Sequence, residues 1–221
     1  MNKTRVETLA VIESPAVAVI EDDEHAREAF VFQLETAGLK VASHPSAESF
    51  LDAPGWDRFD CIVADICLPK KNGLQLLAEI KQSAPFVSIV FITAHGDMSI
   101  GVQAMKDGAV DCLEKPIEGR ALLEAIRRGT SLSRVKRSEH MRCVELKKRE
   151  CTLTPREREV FALITAGLLN KQAGADLGSA EHTVKIHRGR VMKKMRANSL
   201  ADLVRMAEIL ELHGTSKHGH S

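Results

Sequence analysis

Five short strand-like runs, each followed by a stretch of helical period, recur across residues 15–129, and nothing else in the sequence limits the fold as tightly. The runs are Ala16–Ile20 (AVAVI), Lys40–His44 (KVASH), Cys61–Ala64 (CIVA), Ser88–Thr93 (SIVFIT) and Val110–Glu114 (VDCLE). The helical patterns between and after them cover about His25–Ala37, Ser46–Asp52, Gly73–Gln82, Met98–Asp107 and Glu118–Arg128. In the first, Ala26, Phe30 and Leu34 recur at spacing four, with Ala29 and Ala37 on the same face. In the third, Leu74, Leu77 and Ala78 share a face. Glycines 38, 108 and 129 stand where helices are expected to stop. Near-continuous apolar strands alternating with helices specify a parallel sheet wrapped on both faces by right-handed crossovers. The fold class expected is α/β, a doubly wound (βα)5 sheet.

That arrangement turns scattered polar residues into a group. The third strand ends on a lone carboxylate, Asp65, and Pro69 then prevents further strand pairing. Glu21-Asp22-Asp23-Glu24 follow the first strand, Thr93 ends the fourth and Lys115 follows the fifth. Parallel strands present their carboxyl ends at one edge, so these segments converge. Taken singly, each residue reads as surface charge or a helix cap. Together they suit Mg²⁺, a hard ion that prefers oxygen. Lys115 and the metal would neutralise an incoming phosphoryl group, and the Thr93 hydroxyl could donate to one of its oxygens. Asp65, ionised at neutral pH, would be the nucleophile and form an acyl phosphate.

The 221 residues suffice for two modest domains, and the net charge of +1 conceals an asymmetry between them. Residues 1–129 carry 13 Lys and Arg against 20 Asp and Glu, a balance of −7. Residues 130–151 carry 7 against 3, and residues 152–221 carry 11 against 7, each +4. Contact with a polyanion therefore falls to the second half. No apolar run is long enough to span a bilayer and no signal-peptide pattern opens the chain, so no membrane partner and a cytoplasmic location are expected. The five cysteines show no metal spacing and read as reduced thiols. Residues 1–14 read as a loose tail and residues 213–221, with three histidines, as a disordered one.

Residues 130–151 are basic and weakly periodic, and read as a partly helical linker, with a small dimer helix as the sharper alternative. Thr154-Pro155-Arg156-Glu157 is a helix start: threonine to cap, proline at the first turn, glutamate close behind. Helices are expected from there to about Ala166, over Asn170–Leu177, over His182–Met195, and from Ser199 to about Leu210. The short turn from Gly178 to Glu181 fits a helix-turn-helix. In the third of these helices Val184, Val191 and Met195 stand at core spacing, while Lys185, His187, Arg188, Arg190, Lys193 and Lys194 fill most of the remaining surface. A helix that enters the major groove needs such a face.

The strings VIEDDEHARE, CIVADICLP, VFITAHGD and DCLEKP resemble the receiver domain of bacterial two-component response regulators, over residues 15–129. LTPREREVFALITAGLLNKQ and HTVKIHRGRVMKKM resemble the LuxR-type output domain of the NarL/FixJ class, over residues 152–212. The resemblance implies a flavodoxin-like receiver followed by an all-α four-helix domain. It implies Asp65 as phosphoacceptor, with Thr93 and Lys115 binding the phosphoryl group. Glu21, Asp22, Asp65 and the Cys67 backbone carbonyl would hold Mg²⁺; the neighbouring register, Asp22 and Asp23, offers the same chemistry. It implies a cis Lys115-Pro116 bond. It places Thr183, Lys185 and Ile186 against bases, and Arg188, Lys193, Lys194, Asn170 and Lys171 against phosphates. The implied partners are a sensor histidine kinase, promoter DNA, a second copy of the chain docked through residues 98–128, and RNA polymerase as a further candidate. The implied function is a phosphorylation-regulated transcription regulator and not an enzyme. Two departures from the pattern stand out. Cys112 occupies the place of the usual Tyr or Phe, so the aromatic relay is missing. Ala173-Gly174 replaces a larger apolar residue and alanine, which is expected to weaken the second helix by about 0.5–1 kcal/mol. A competing hydrolase of the haloacid dehalogenase type needs a second acid two residues after the nucleophile, where Cys67 stands. A redox sensor built on Cys61, Cys67 and Cys112 is the third reading, against the usual inertness of buried thiols.

Overall fold

The three most apolar runs take the inner places of the sheet. The computed structural model describes residues 14–94 and 98–214. Strands β1 (Ala16–Ile20), β2 (Lys40–His44), β3 (Cys61–Asp65), β4 (Ser88–Thr93) and β5 (Asp111–Glu114) lie in the order β2-β1-β3-β4-β5. Every pairing is parallel. Strands β3 and β4 are buried along their whole length, whereas β2 and β5 carry the polar residues and form the edges. A strand covered on both faces has no place for a solvated side chain, so composition sorts the strands.

Alternate residues of each strand enter different cores. Ala18, Ile20, Ile62, Ala64, Ile89 and Phe91 face one layer, with helices α2 (Ala47–Leu51), α3 (Gly73–Ser83) and α4 (Met98–Lys106) laid over it. Val17, Val19, Cys61, Val63, Val90 and Ile92 face the other, under α1 (Glu24–Thr36) and α5 (Gly119–Cys151). The expected α/β doubly wound sheet is the one observed. Helix ends depart from expectation by a residue or two, the usual fraying. The faces are narrower than the periodicity suggested. In α1 only Leu34 is fully buried while Ala29 and Ala37 are exposed; in α3 the buried set is Gly73, Leu76, Leu77 and Ile80, with Ala78 exposed.

One expectation is overturned. Gly129 does not end a helix, and residues 130–151 are not a partly helical linker: α5 runs unbroken for 33 residues. A Cβ on Gly129 would lie 2.9 Å from the Cys61 Sγ, so this glycine lets the helix press against β3. Beyond it Thr130 and Ser133 are buried. The Ser88 N–H donates to the Ser133 Oγ at 2.9 Å. Arg134 pairs with Asp60 at 3.3 Å. Arg137 donates to the carbonyls of Asp57 and Phe59 at 3.1 and 3.0 Å and lies over the Phe86 ring. Two of the seven basic residues in 130–151, Arg134 and Arg137, therefore fasten the helix to the amino-terminal edge of the sheet.

The chain divides into two units, Met1–Arg137 and Ser138–Ser221. The second contains α6 (Pro155–Thr165), α7 (Asn170–Asp176), α8 (Glu181–Met195) and α9 (Leu200–Gly214). Its core joins Leu146 and Leu153 with Val160, Phe161, Ile164, Val184, Val191, Met195, Leu203 and Leu210. The expected cap is present: the Thr154 N–H donates to Glu157 at 2.9 Å, and the Glu157 N–H donates to the Thr154 Oγ1 at 3.3 Å. At the Ala173-Gly174 departure, helix α7 is formed and the glycine is buried. A Cβ there would lie 2.7 Å from the Ser179 carbonyl, so the turn into α8 closes over this glycine. The tails expected at 1–14 and 213–221 lie outside the described residues, apart from Ser14 and the last two residues of α9.

Candidate functional site

In the first unit, four strand ends meet at one edge. Glu21 follows β1, Asp65 closes β3, Thr93 closes β4, and all three are buried. Lys115 follows β5, and its Nζ lies 2.7 Å from the Asp65 Oδ2 and 2.9 Å from the Glu21 Oε2. The other Asp65 oxygen accepts the Cys67 N–H at 2.8 Å. Lys115 also donates its backbone N–H to the Thr93 carbonyl at 2.9 Å, and the Lys115-Pro116 bond is cis. The acidic loop is held from behind. Arg27 donates to the Glu21 carbonyl at 2.8 Å and to the Asp22 carbonyl at 3.3 Å. This bracing of the loop by Arg27 is set by the fold, which brings the start of α1 back over the end of β1.

The electrostatics follow from two carboxylates sharing one ammonium. Burial pushes the Glu21 carboxyl above its usual range, against the pull of Lys115. Burial disfavours the Lys115 ammonium, but its hydrogen bonds to Asp65 and Glu21 outweigh this and raise its pKa. A negative charge is left over, which gives an arriving cation a reason to stay. The alternatives for the acidic pair are physically distinct here. Asp23 accepts the Ala26 N–H at 2.7 Å and caps α1, Asp22 is exposed, and Glu21 shares the lysine of Asp65. Among the described residues, no three His, Cys, Asp or Glu side chains form a group able to hold a metal ion. That still fits Mg²⁺, which is commonly bound through one or two carboxylates, water and phosphate oxygens.

Two of the three thiols near the site, Cys61 and Cys112, are poorly suited to redox chemistry; Cys67 is exposed. Burial pushes Cys61 up to about 12 and also raises Cys112. A thiol held protonated is a weak nucleophile.

In the second unit, α8 presents the expected face. Thr183, Lys185, Ile186 and Lys193 are exposed, as is Lys171 on α7. The isoleucine is 44% exposed on this otherwise cationic surface. Arg188 donates to the Asn170 Oδ1 at 3.1 Å and ties α8 to the start of α7. Lys194 is a correction. Its Nζ lies 2.5 Å from the buried Glu157 carboxylate and donates to the Thr152 carbonyl at 2.9 Å, so it holds α8 to α6 and is not a free phosphate ligand. Arg156 was missed: it donates to the Leu177 carbonyl at 2.7 Å and to the Ser179 Oγ, bracing the turn before α8. These two partners lie more than twenty residues away, and its local pair with Glu159 gives no hint of them.

Comparison with known proteins matches both units. A response regulator receiver domain covers residues 17–127, and the luxR family of bacterial regulatory proteins covers residues 151–207. The chain belongs to the response regulators of the NarL/FixJ class. This regulator is 44% identical over 194 residues to nodulation protein W of Bradyrhizobium diazoefficiens, spanning 88% of this chain and 86% of that one. It is 42% identical to the transcriptional regulatory protein FixJ of Azorhizobium caulinodans, spanning 88% and 92%. Among solved structures the regulator is similar to response regulator StyR, at 39% identity and a TM-score of 0.74, covering 88% of this chain and 98% of that one. It also resembles full-length FixJ of B. japonicum, at 36% identity and a TM-score of 0.55, covering 90% and 98%. No helix among the described residues of the regulator is long and apolar enough to cross a membrane.

Proposed function

We propose that this regulator accepts a phosphoryl group on Asp65 from a sensor histidine kinase and, so modified, binds promoter DNA through α8. The observation that carries the reading is Lys115 held at 2.7 and 2.9 Å from Asp65 and Glu21 at the carboxyl edge of the sheet. An Asp65 oxygen attacks phosphorus, an acyl phosphate O–P bond forms, and the P–N bond to the donor histidine breaks. The imidazole leaves with the electron pair of that bond and is protonated from solvent. Lys115 stays within reach of the oxygens it already contacts, and the Thr93 hydroxyl donates to the phosphoryl group. One or two of the carboxylates Glu21, Asp22 and Asp65, with the Cys67 carbonyl, would hold Mg²⁺, which when bound neutralises charge on the phosphoryl oxygens.

The rest of the reading follows from surfaces. Val102 and Met105 of α4 are exposed large apolar residues, which supports docking of a second copy on the face built from residues 98–128. Pairing would present two copies of α8 to two half-sites and raise affinity by tethering. Thr183, Lys185 and Ile186 would read bases; Arg188, Lys193, Asn170 and Lys171 would touch phosphates. Residues 15–129 would act as the receiver, 152–212 as the DNA-binding domain, and the whole would work in the cytoplasm without turnover of an external substrate. The test is intact-mass spectrometry after incubation with acetyl phosphate and Mg²⁺. The wild type gains one phosphoryl group and Asp65→Asn gains none; an adduct retained in the variant would place the acceptor elsewhere.

A further inference from the structure

Glycine is the least favourable residue for a helix interior after proline, so a helical glycine calls for a reason. Among the described residues, three glycines past the first residue of their helix have one inside the molecule. A Cβ on Gly101, Gly129 or Gly174 would lie 2.9, 2.9 or 2.7 Å from a neighbour: the Cys112 Sγ, the Cys61 Sγ and the Ser179 carbonyl. Gly189 has none. It lies within α8, its φ is not in the left-handed region, and a Cβ built on it meets nothing within 4 Å. The fold would accept alanine there and gain from it.

The position of Gly189 supplies the missing reason. The buried side of α8 carries Val184, Val191 and Met195. Gly189 lies opposite, one turn after the exposed Lys185 and Ile186 and one turn before the exposed Lys193. It is thus a bare stretch of backbone in the middle of the surface assigned above to DNA. A helix with its side chains is about 10–12 Å across and the major groove about 12 Å wide, so seating depth depends on the side chains at the contact.

We propose that Gly189 is the point of closest approach between α8 and duplex DNA, a specificity-determining position whose missing side chain lets Lys185 and Ile186 reach base edges. The inference rests on the reading of α8 as the DNA-contacting helix. A side chain at 189 would hold the helix away from the base pairs. Lys185 would then lose hydrogen bonds to acceptors such as guanine O6 and N7, and Ile186 would lose apolar contact with thymine methyls. Contacts to phosphates on flexible side chains would survive, so sequence-independent binding should change little.

The experiment uses the full chain with acetyl phosphate and Mg²⁺. Wild-type protein selects duplexes from a random-sequence pool, and a selected duplex is compared with a scrambled one of the same length. Gly189→Ala is expected to bind the selected duplex at least about fivefold more weakly, Gly189→Leu more weakly still, and both to bind the scrambled duplex as wild type does. Gly189→Ala is also expected to raise the melting temperature of the second unit by about 4 °C. Undiminished affinity of Gly189→Ala for the selected duplex overturns the inference, as does an equal loss on both duplexes. A lowered melting temperature also overturns it, because the glycine would then serve the fold. If the wild type enriches no sequence at all, the reading of α8 itself falls and takes this inference with it.

Discussion

Removing one hydroxyl should loosen the regulator's longest helix from its sheet. The Ser133 Oγ accepts the Ser88 N–H at 2.9 Å where β4 begins, and both residues are buried. Ser133→Ala leaves that backbone donor without a partner and without water. An unsatisfied buried donor costs about 1–3 kcal/mol. Alanine is the better helix former by about 0.5 kcal/mol, which offsets part of the loss. The net expectation is a destabilisation of about 0.5–2.5 kcal/mol. For a unit of 137 residues this is a fall in melting temperature of roughly 2–10 °C. The chain's one tryptophan is Trp56, packed 5.7 Å from the Phe50 ring in the first unit, so its fluorescence reports that unit during urea unfolding. Thr130→Val is the control. The Thr130 Oγ1 is buried and has no hydrogen-bond partner among the described residues, so replacing it with a methyl should leave the midpoint unchanged or raise it. If Ser133→Ala matches wild type, or Thr130→Val falls as far, the hydrogen bond is not what fastens α5 to the sheet.

Three further outcomes are expected. Lys194, with help from the Thr154 N–H, holds the Glu157 carboxyl down at about 2, below its ordinary 4.5. The stabilisation is therefore complete above about pH 4.5 and fades as pH falls toward 2. Carbon NMR of that carboxyl should show a midpoint near 2, and one near 4.5 would refute the pair. Lys194→Ala should lower the stability of the second unit by about 2 kcal/mol, whereas Lys193→Ala should leave melting unchanged and reduce the salt dependence of DNA binding by about one unit of slope. Equal melting temperatures for these two variants would refute the separation of their roles. Gly101→Ala should destabilise the first unit by about 1–3 kcal/mol because its Cβ falls 2.9 Å from the Cys112 Sγ, and Cys112→Ala in the same chain should restore much of the loss. A double variant no more stable than Gly101→Ala alone, by Trp56 fluorescence, would show that the two residues do not share that space.

The Gly101–Cys112 contact also gives a physical reading of the absent aromatic. Helix α4 passes so close to β5 that a small pair fills the space where the receiver pattern has a ring. From the sequence, Cys112 is only a gap in a pattern; its partner lies eleven residues away and is itself only a glycine in a helix.

Period and composition determined the sheet, the order of its elements and the edge at which Glu21, Asp65, Thr93 and Lys115 gather, because strand burial and the parallel crossover are properties of short stretches of chain. The cap at Thr154 and the core side of α8 were legible for the same reason. Tertiary structure alone decided which cations belong to the fold and which are open to DNA. Arg134 and Arg137 looked like linker charge yet hold α5 to the sheet, and Lys194 looked like a phosphate ligand yet is bound to Glu157. It also decided what each glycine is for: Gly129 resembled a helix stop and is a close contact, while Gly189 has space around it. A lysine's partner and a glycine's neighbour are set by pieces of chain brought together from a distance. Local patterning carries no record of that.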